Sequence, residues 1–301
     1  MKPDGAIRIY GVPMDLGQNR RGVDMGPSAI RYAGLQTRLE RIGWTVCDGG
    51  NISVPGLEEI PGLETVEGRP AHHLSAVVRV ARQVYERACR CIEMGERAVF
   101  LGGDHSISLG TVAGALQQPG RVGVLWIDAH GDFNTPAISP SGNIHGMVVS
   151  GLMGLGPAAF MVGQRPLRTD QIAMIGVRDL DPDERTALRA SGIKVLTMRS
   201  IDENGMANVV HAALNTLGNV DAIHVSFDLD SIDPEYAPGV GTPVPGGLSY
   251  REAHLLMEML ADDGRVRSLD LVEVNPILDI GNRTAEVAVG MAASVFGQRI
   301  L

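Results

Sequence analysis

Three scarcities narrow the class of this 301-residue chain before any motif is read. Cysteine is the first: only Cys47, Cys89 and Cys91 occur, an odd count without zinc spacing, which speaks against a disulfide scaffold and a thiolate metal site. Cys89 and Cys91 lie two apart in a helical stretch, on diverging faces, and all three are expected to be buried or spare thiols. Positive charge is the second. Lys and Arg number 26 against 35 Asp and Glu, a formal net charge of -9, whereas nucleic-acid binding needs clustered bases that release counterions. The balance argues against a nucleic-acid partner and tilts toward cationic small molecules. Long apolar runs are the third. None approaches the roughly 18 residues that span a bilayer, and the opening MKPDGAIRIYGVP lacks a basic segment followed by an apolar one. No membrane partner and a cytoplasmic location are expected. Repeats and low-complexity segments are absent too, and Gly102-Gly103, Gly154-x-Gly156 and Gly239-x-Gly241 form neither G-x-G-x-x-G nor a P-loop.

What is present describes an ordinary globular chain, 44% hydrophobic and 20% charged, able to bury a sizeable core. Short, β-branched apolar runs recur at Ile7 to Val12, Trp44 to Cys47, Ala98 to Leu101, Val122 to Ile127, Ile172 to Ile175, Lys194 to Leu196, Ala222 to Phe227 and Leu269 to Val274. Runs this short, apolar on both faces, suit buried parallel strands. Helical patterns fall between several of them, including Leu74 to Met94, Arg251 to Leu260 and Thr284 to Phe296. Strand and helix in alternation mean an α/β fold with a mainly parallel sheet of about eight strands, read as one domain over 1–301. One irregular stretch, Ile52 to Pro70, rich in Pro, Gly and Glu, reads as a solvated connection.

Ligands of open α/β sheets gather at the carboxyl ends of strands, and three of those ends carry the same chemistry. Gly102-Gly103-Asp104-His105-Ser106 follows one run, Asp128-Ala129-His130-Gly131-Asp132 a second, and Asp228-Leu229-Asp230 a third. Residues two apart in an extended segment point to one side, so Asp128, His130 and Asp132 face one point, as do Asp228 and Asp230. Carboxylates brought together without counter-charge repel until some protonate. Counting His105, Asp128, His130, Asp132, Asp228 and Asp230 gives four carboxylates and two imidazoles, which balance two divalent ions if some carboxylates bridge. Oxygen and imidazole ligands without thiolate suit Mn²⁺, with Zn²⁺ or Co²⁺ as competitors.

At these three motifs, the second extended by Phe133-Asn134 and the third by Ser231-Ile232-Asp233-Pro234, the chain resembles the arginase/agmatinase ureohydrolases. The likeness begins at Gly17-Gln18-Asn19-Arg20-Arg21-Gly22-Val23 and reaches Glu273-Val274-Asn275-Pro276. It implies a three-layer α-β-α domain and manganese-dependent hydrolysis of L-arginine to L-ornithine and urea by a metal-bridging hydroxide. In that scheme His105, Asp128, Asp132 and Asp228 hold one of two Mn²⁺, His130, Asp128, Asp228 and Asp230 hold the other, and Asp132 orients the hydroxide. His145, in Ser141-Gly142-Asn143-Ile144-His145-Gly146, matches the loop of the proton-shuttling histidine, which suits general acid work. Glu273 resembles the glutamate that pairs with the guanidinium, and Thr242 a threonine close to it.

Substrate choice turns on the far end of the molecule. A carboxylate needs donors, and Asn134, Ser139, Ser141 and Asn143 cluster on the loop before His145; an ammonium needs acceptors, and Asp179, Asp181 and Glu184 follow the run Ile172 to Ile175. Both clusters match arginase more closely than agmatinase. Tyr250-Arg251-Glu252 resembles a segment forming ion pairs between subunits, which implies a homotrimer or homohexamer. His72, His73, His211, His224 and His254 sit at no strand end and are expected to be structural or solvated. The alternatives are agmatinase or another guanidino-compound amidinohydrolase, a metal-dependent deacetylase with one ion, and a non-catalytic paralogue.

Overall fold

The computed structural model describes residues 5–60 and 63–299. Pro61 and Gly62 of the irregular stretch, and the two ends of the expected 1–301 domain, lie outside the described residues. Eight strands build one sheet: β1 (Ala6–Val12), β2 (Thr45–Asn51), β5 (Arg97–Gly102), β6 (Val122–Ile127), β7 (Ile172–Ile175), β8 (Lys194–Leu196), β9 (Ala222–Asp228) and β10 (Val266–Val272). Their order is β2-β1-β5-β10-β9-β6-β7-β8, every neighbouring pair parallel. The irregular stretch contains a 3₁₀ turn and a two-stranded hairpin, β3 (Thr65–Val66) with β4 (Arg69–Pro70).

Alternation along each strand divides the core between the two faces. Val99 and Leu101 of β5, Leu125 and Ile127 of β6, and Ile223, Val225 and Phe227 of β9 pack under α1 (Gly26–Tyr32), α2 (Leu35–Arg41), α7 (Met198–Asn204), α8 (Met206–Leu217), α9 (Tyr250–Asp263) and α10 (Arg283–Val295). Ala98 and Phe100, Val124 and Trp126, and Ala222 go to the other face, under α3 (Leu74–Glu93), α4 (Ser108–Ala115), α5 (Val148–Leu152) and α6 (Pro182–Ser191). This is why central runs such as Ala98 to Leu101 and Val122 to Ile127 carry no alternating pattern. Helix ends follow local chemistry: at α9, Ser249 Oγ accepts from Glu252 N, Glu252 Oε2 accepts from Ser249 N, and Gly264 closes the helix at φ 78°.

The expected strands are all present; β2 runs on to Asn51, and β10 starts at Val266 and ends at Val272. Arg267 and Ser268 obscured the start of β10, because they are polar at positions the sheet nevertheless partly buries. Glu273 therefore stands just past the strand end. The three cysteines are free; Cys47 is exposed, and burial pushes the Cys91 thiol up to about 12.

The central strands are β5, β10, β9 and β6, so the acid- and histidine-bearing ends converge on one edge. Their spacing depends on a close backbone approach. Gly103 N donates to Val12 O at 3.0 Å and Asp104 N to Met14 O at 2.7 Å, and a Cβ on Gly103 would lie 1.9 Å from Met14 O. Gly103→Ala is expected to destabilise the protein by about 3 kcal/mol through this clash, read as a lower urea midpoint; an unchanged midpoint would show that the two loops separate freely.

Candidate active site

Past β5, Asp104 caps a 3₁₀ turn over His105–Ile107: its Oδ1 accepts from Ser106 N at 2.9 Å and its Oδ2 from Gly17 N at 2.8 Å. Past β6, Asp128 Oδ1 accepts from His130 N at 2.7 Å and Oδ2 from Trp126 Nε1 at 3.0 Å. The Trp126 ring also stacks on His105, centroids 4.1 Å apart. At the end of β9, Asp228 Oδ1 accepts from Asp230 N at 2.8 Å, while Asp230 accepts from Ala129 N at 3.2 Å and from Thr242 Oγ1 at 3.0 Å. These bonds fix the direction of each carboxylate.

His105 Nδ1 lies 3.1 Å from one oxygen each of Asp128, Asp132 and Asp228. Neither His105 Nδ1 nor Asp132 Oδ2 has a hydrogen-bond partner, though both are buried. His130 Nδ1 lies 3.0 Å from Asp230 and 3.4 Å from the second oxygen of Asp128. Two groups therefore share Asp128: His105, Asp128 and Asp132, and Asp128, His130 and Asp230, the ligand atoms of each within 4.8 Å of one another. Burial and the neighbouring Asp128 charge push Asp132 up to about 6; burial and the charges of Asp230 and Asp128 raise Asp228 well above the usual range. Asp128 is buried as well, yet His105 and His130 hold it far below that range. Orphaned inward atoms, carboxylates under mutual repulsion and an oxygen–imidazole donor set together fit divalent cations.

Beside this cluster stands a second constellation. Glu273 Oε1 accepts from His105 N at 2.9 Å and lies 3.2 Å from His145 Nδ1, while Oε2 accepts from Gln18 Nε2 at 2.9 Å. Burial works against a charged His145, but the bond and charge of Glu273, with Asp132 and Asp104 behind them, push it up to about 9. Glu273 (φ 65°) and Asp132 (φ 46°) both adopt left-handed backbone, which non-glycine residues hold only when their surroundings over-determine it.

The expected substrate residues are arranged unequally. Asn134 Nδ2 donates to Asp181 at 3.0 Å, which joins the two expected clusters, and the Oδ1 atoms of Asn134 and Asn143 are buried without partners. Ser139 Oγ accepts from Gly142 N and Ser141 Oγ from Asn143 N, and the two hydroxyls lie 3.5 Å apart, so one can donate to the other while the second keeps its hydrogen. Glu184 is buried at the start of α6, accepting from Phe133 N at 2.9 Å and Asp181 N at 3.2 Å, so it braces the loop that carries Asn134. Asp179 is exposed, its backbone N donating to Ala129 O at 3.0 Å.

Sequence reasoning missed Trp126 and Gln18, and it passed over His72 and His73. Trp126 stands two residues before Asp128 on the same strand face, a signal that periodicity offers; Gln18 has none beyond the motif it sits in. His72 N donates to Gly142 O, its Nε2 lies 3.0 Å from Ser141 O, and His73 Nδ1 lies 2.9 Å from Leu16 O. Both clasp loops that border the site.

The arginase family model matches residues 5–297. The chain belongs to the arginase family. An arginase from Bacillus caldovelox is 47% identical, the alignment covering all of both chains. The native structure of the Bacillus caldovelox arginase superimposes with a TM-score of 0.93 at 46% identity, over 99% of this chain and 100% of that one. A hypothetical agmatinase from Burkholderia thailandensis is more distant, with a TM-score of 0.73 at 25% identity, over 97% and 85%. The metal-compatible cluster thus sits in an arginase-family fold, and no described helix is long and apolar enough to cross a membrane.

Burial pushes the Glu184 carboxyl up to about 7, with the Asp132 and Asp181 charges adding to it. A raised folded pKa binds the proton more tightly in the folded state, so this contribution is present below the ordinary carboxylate range and is lost as pH rises through 7. Urea denaturation of chelated protein should show Glu184→Gln gaining on wild type by on the order of 2 kcal/mol between pH 5 and pH 8. A difference that does not change with pH would show that Glu184 is ionised throughout.

Proposed function

We propose that this chain is an arginase, hydrolysing L-arginine to L-ornithine and urea with two Mn²⁺, and that residues 1–301 act as one catalytic domain. The observation that carries the reading is the pair of buried Asp/His groups sharing Asp128, with the His145–Glu273 pair bonded to the same His105 segment. In this reading His105, Asp128, Asp132 and Asp228 would hold one ion, and His130, Asp128, Asp228 and Asp230 the other. The ions, when bound, lower the pKa of a shared water and so supply hydroxide at neutral pH.

The chain's own residues account for the rest. Asp132 carries an unpartnered buried oxygen able to accept a hydrogen bond from the attacking hydroxide and orient it. Glu273 offers about four acceptor sites, of which Gln18, His105 and His145 use three, so one stays open to a guanidinium N–H; Thr242, tied to Asp230, lies beside that position in the reading. Attack on the guanidinium carbon leaves an amine that needs a proton. His145, held as an imidazolium by Glu273, delivers it. At the far end Asn134, Ser139, Ser141 and Asn143 serve the α-carboxylate, and Asp181, with Asp179 and Glu184 near it, serves the α-ammonium. A cytoplasmic location and assembly as a homotrimer or homohexamer belong to the same proposal, the latter supported by the exposed Tyr250 and Arg251.

The deciding experiment is urea release from Mn²⁺-loaded protein with arginine and agmatine side by side. Agmatine lacks the carboxylate and leaves those donors unpaired, so arginine should win by about 10² or more in kcat/KM, and exhaustive chelation should abolish both activities. Equal or better turnover of agmatine would move the assignment to agmatinase. His145→Asn is expected to keep Mn²⁺ and arginine binding while lowering kcat about 10² or more; wild-type turnover in the metal-loaded variant would remove His145 from proton transfer.

A further inference from the structure

Beneath the site runs a polar seam that the reaction as proposed does not use. Strand pairing sets Ser226 opposite Asp270 and His224 opposite Ser268. Alternation turns positions 224, 226 and 228 of β9 toward the face covered by α4, where Ser108 and Thr111 stand one turn apart. His224, Ser226, Asp270, Ser108 and Thr111 are all buried. A carboxylate in this otherwise apolar layer requires donors, and one oxygen of Asp270 takes three: Ser108 Oγ at 2.7 Å, Thr111 Oγ1 at 2.5 Å and His224 Nε2 at 3.1 Å. His224 Nδ1 lies 2.7 Å from Ser268 Oγ.

Hydrogen directions follow from that terminal acceptor. The Ser108 hydroxyl spends its one hydrogen on Asp270, so in its 3.2 Å contact with Ser226 it accepts and Ser226 donates. With that hydrogen used, Ser226 Oγ can only accept from His105 Nε2, 2.8 Å away. His105 then carries its hydrogen on Nε2 and turns the Nδ1 lone pair toward Asp128, Asp132 and Asp228. We infer that Asp270, acting through Ser108 and Ser226, is a positioning residue that holds His105 in the tautomer able to bind a metal ion at Nδ1. The arrangement lengthens by two hydroxyls the contact by which a carboxylate orients a ligating histidine.

Thr111 supplies the internal control. Ser108→Ala and Thr111→Val each delete one buried donor to the same Asp270 oxygen, but only Ser108 lies on the route to His105. Calorimetric titration of chelated protein with Mn²⁺ should show Ser108→Ala binding about 10- to 100-fold more weakly at one site, Thr111→Val within about threefold of wild type, and Ser108→Thr, which keeps the hydroxyl, restored to wild-type affinity. Should Ser108→Ala fail to fold, Ser226→Ala cuts the same route at its next link and is expected to weaken Mn²⁺ equally. Equal loss in Ser108→Ala and Thr111→Val, or unchanged affinity in the folded route variant, would overturn the inference. It rests on the metal reading of the site, and the two fail separately: a wild type that takes up no Mn²⁺ overturns both, whereas normal wild-type uptake with unaltered variants overturns this one alone.

Discussion

Asp128, Asp132, Asp228 and Asp230 are buried together at the edge of one sheet, and their mutual repulsion is the constraint to which the surrounding structure answers. The sheet does not let them separate. β6 and β9 are parallel neighbours with Ile127 opposite Phe227, so Asp128 and Asp228 leave the sheet side by side. Backbone bonds to Asp128, Asp228 and Asp230 then lock the direction of each carboxylate. Burial and like charge raise Asp132 and Asp228, while the two imidazoles hold Asp128 down. Repulsion built into a rigid frame is relieved by a cation of the right size, and stability is thereby coupled to metal binding.

The frame is rigid because several independent bonds meet at its strained points. Glu273 leaves β10 in left-handed backbone, with its amide on Gly103 O and its carboxylate shared among His105, His145 and Gln18. Asp132 is left-handed as well, and its carbonyl accepts from Val149 N at the start of α5. The strain falls immediately after β10 at Glu273 and in the connection that follows β6 at Asp132.

The residues proposed to hold the far end of the substrate are placed differently. Asn134, Ser139, Ser141 and Asn143 lie on a connection between β6 and α5, and Asp179, Asp181 and Glu184 on the turn into α6. The Asn134–Asp181 bond, the Glu184 brace, the His72 clasp and the backbone bonds from Arg178 N and Asp179 N to Ala129 O tie these loops together. Recognition on loops carried by a fixed sheet permits the choice of substrate to vary while the chemistry stays in place, which is consistent with arginases and a hypothetical agmatinase sharing the fold at very different identity.

The sequence by itself determined the α/β class, all eight strands of the sheet, and the six acids and histidines at three strand ends, because apolar runs and period-two spacing are local properties. It also pointed to His145 and Glu273, though through a family pattern rather than through spacing. It was silent on what depends on neighbours far along the chain. Arg267 and Ser268 concealed the start of β10, since nothing local says that polar residues will be partly buried by a sheet. Glu184 read as a substrate acceptor, and nothing local showed the bonds it also makes to Phe133 and Asp181. His224 read correctly as structural, but its link to Asp270 and onward to His105 did not exist until β9 lay beside β10. Which residue touches which across a parallel sheet is decided by strand order and register, and a strand's own pattern specifies its two faces without naming the strand that will lie next to it.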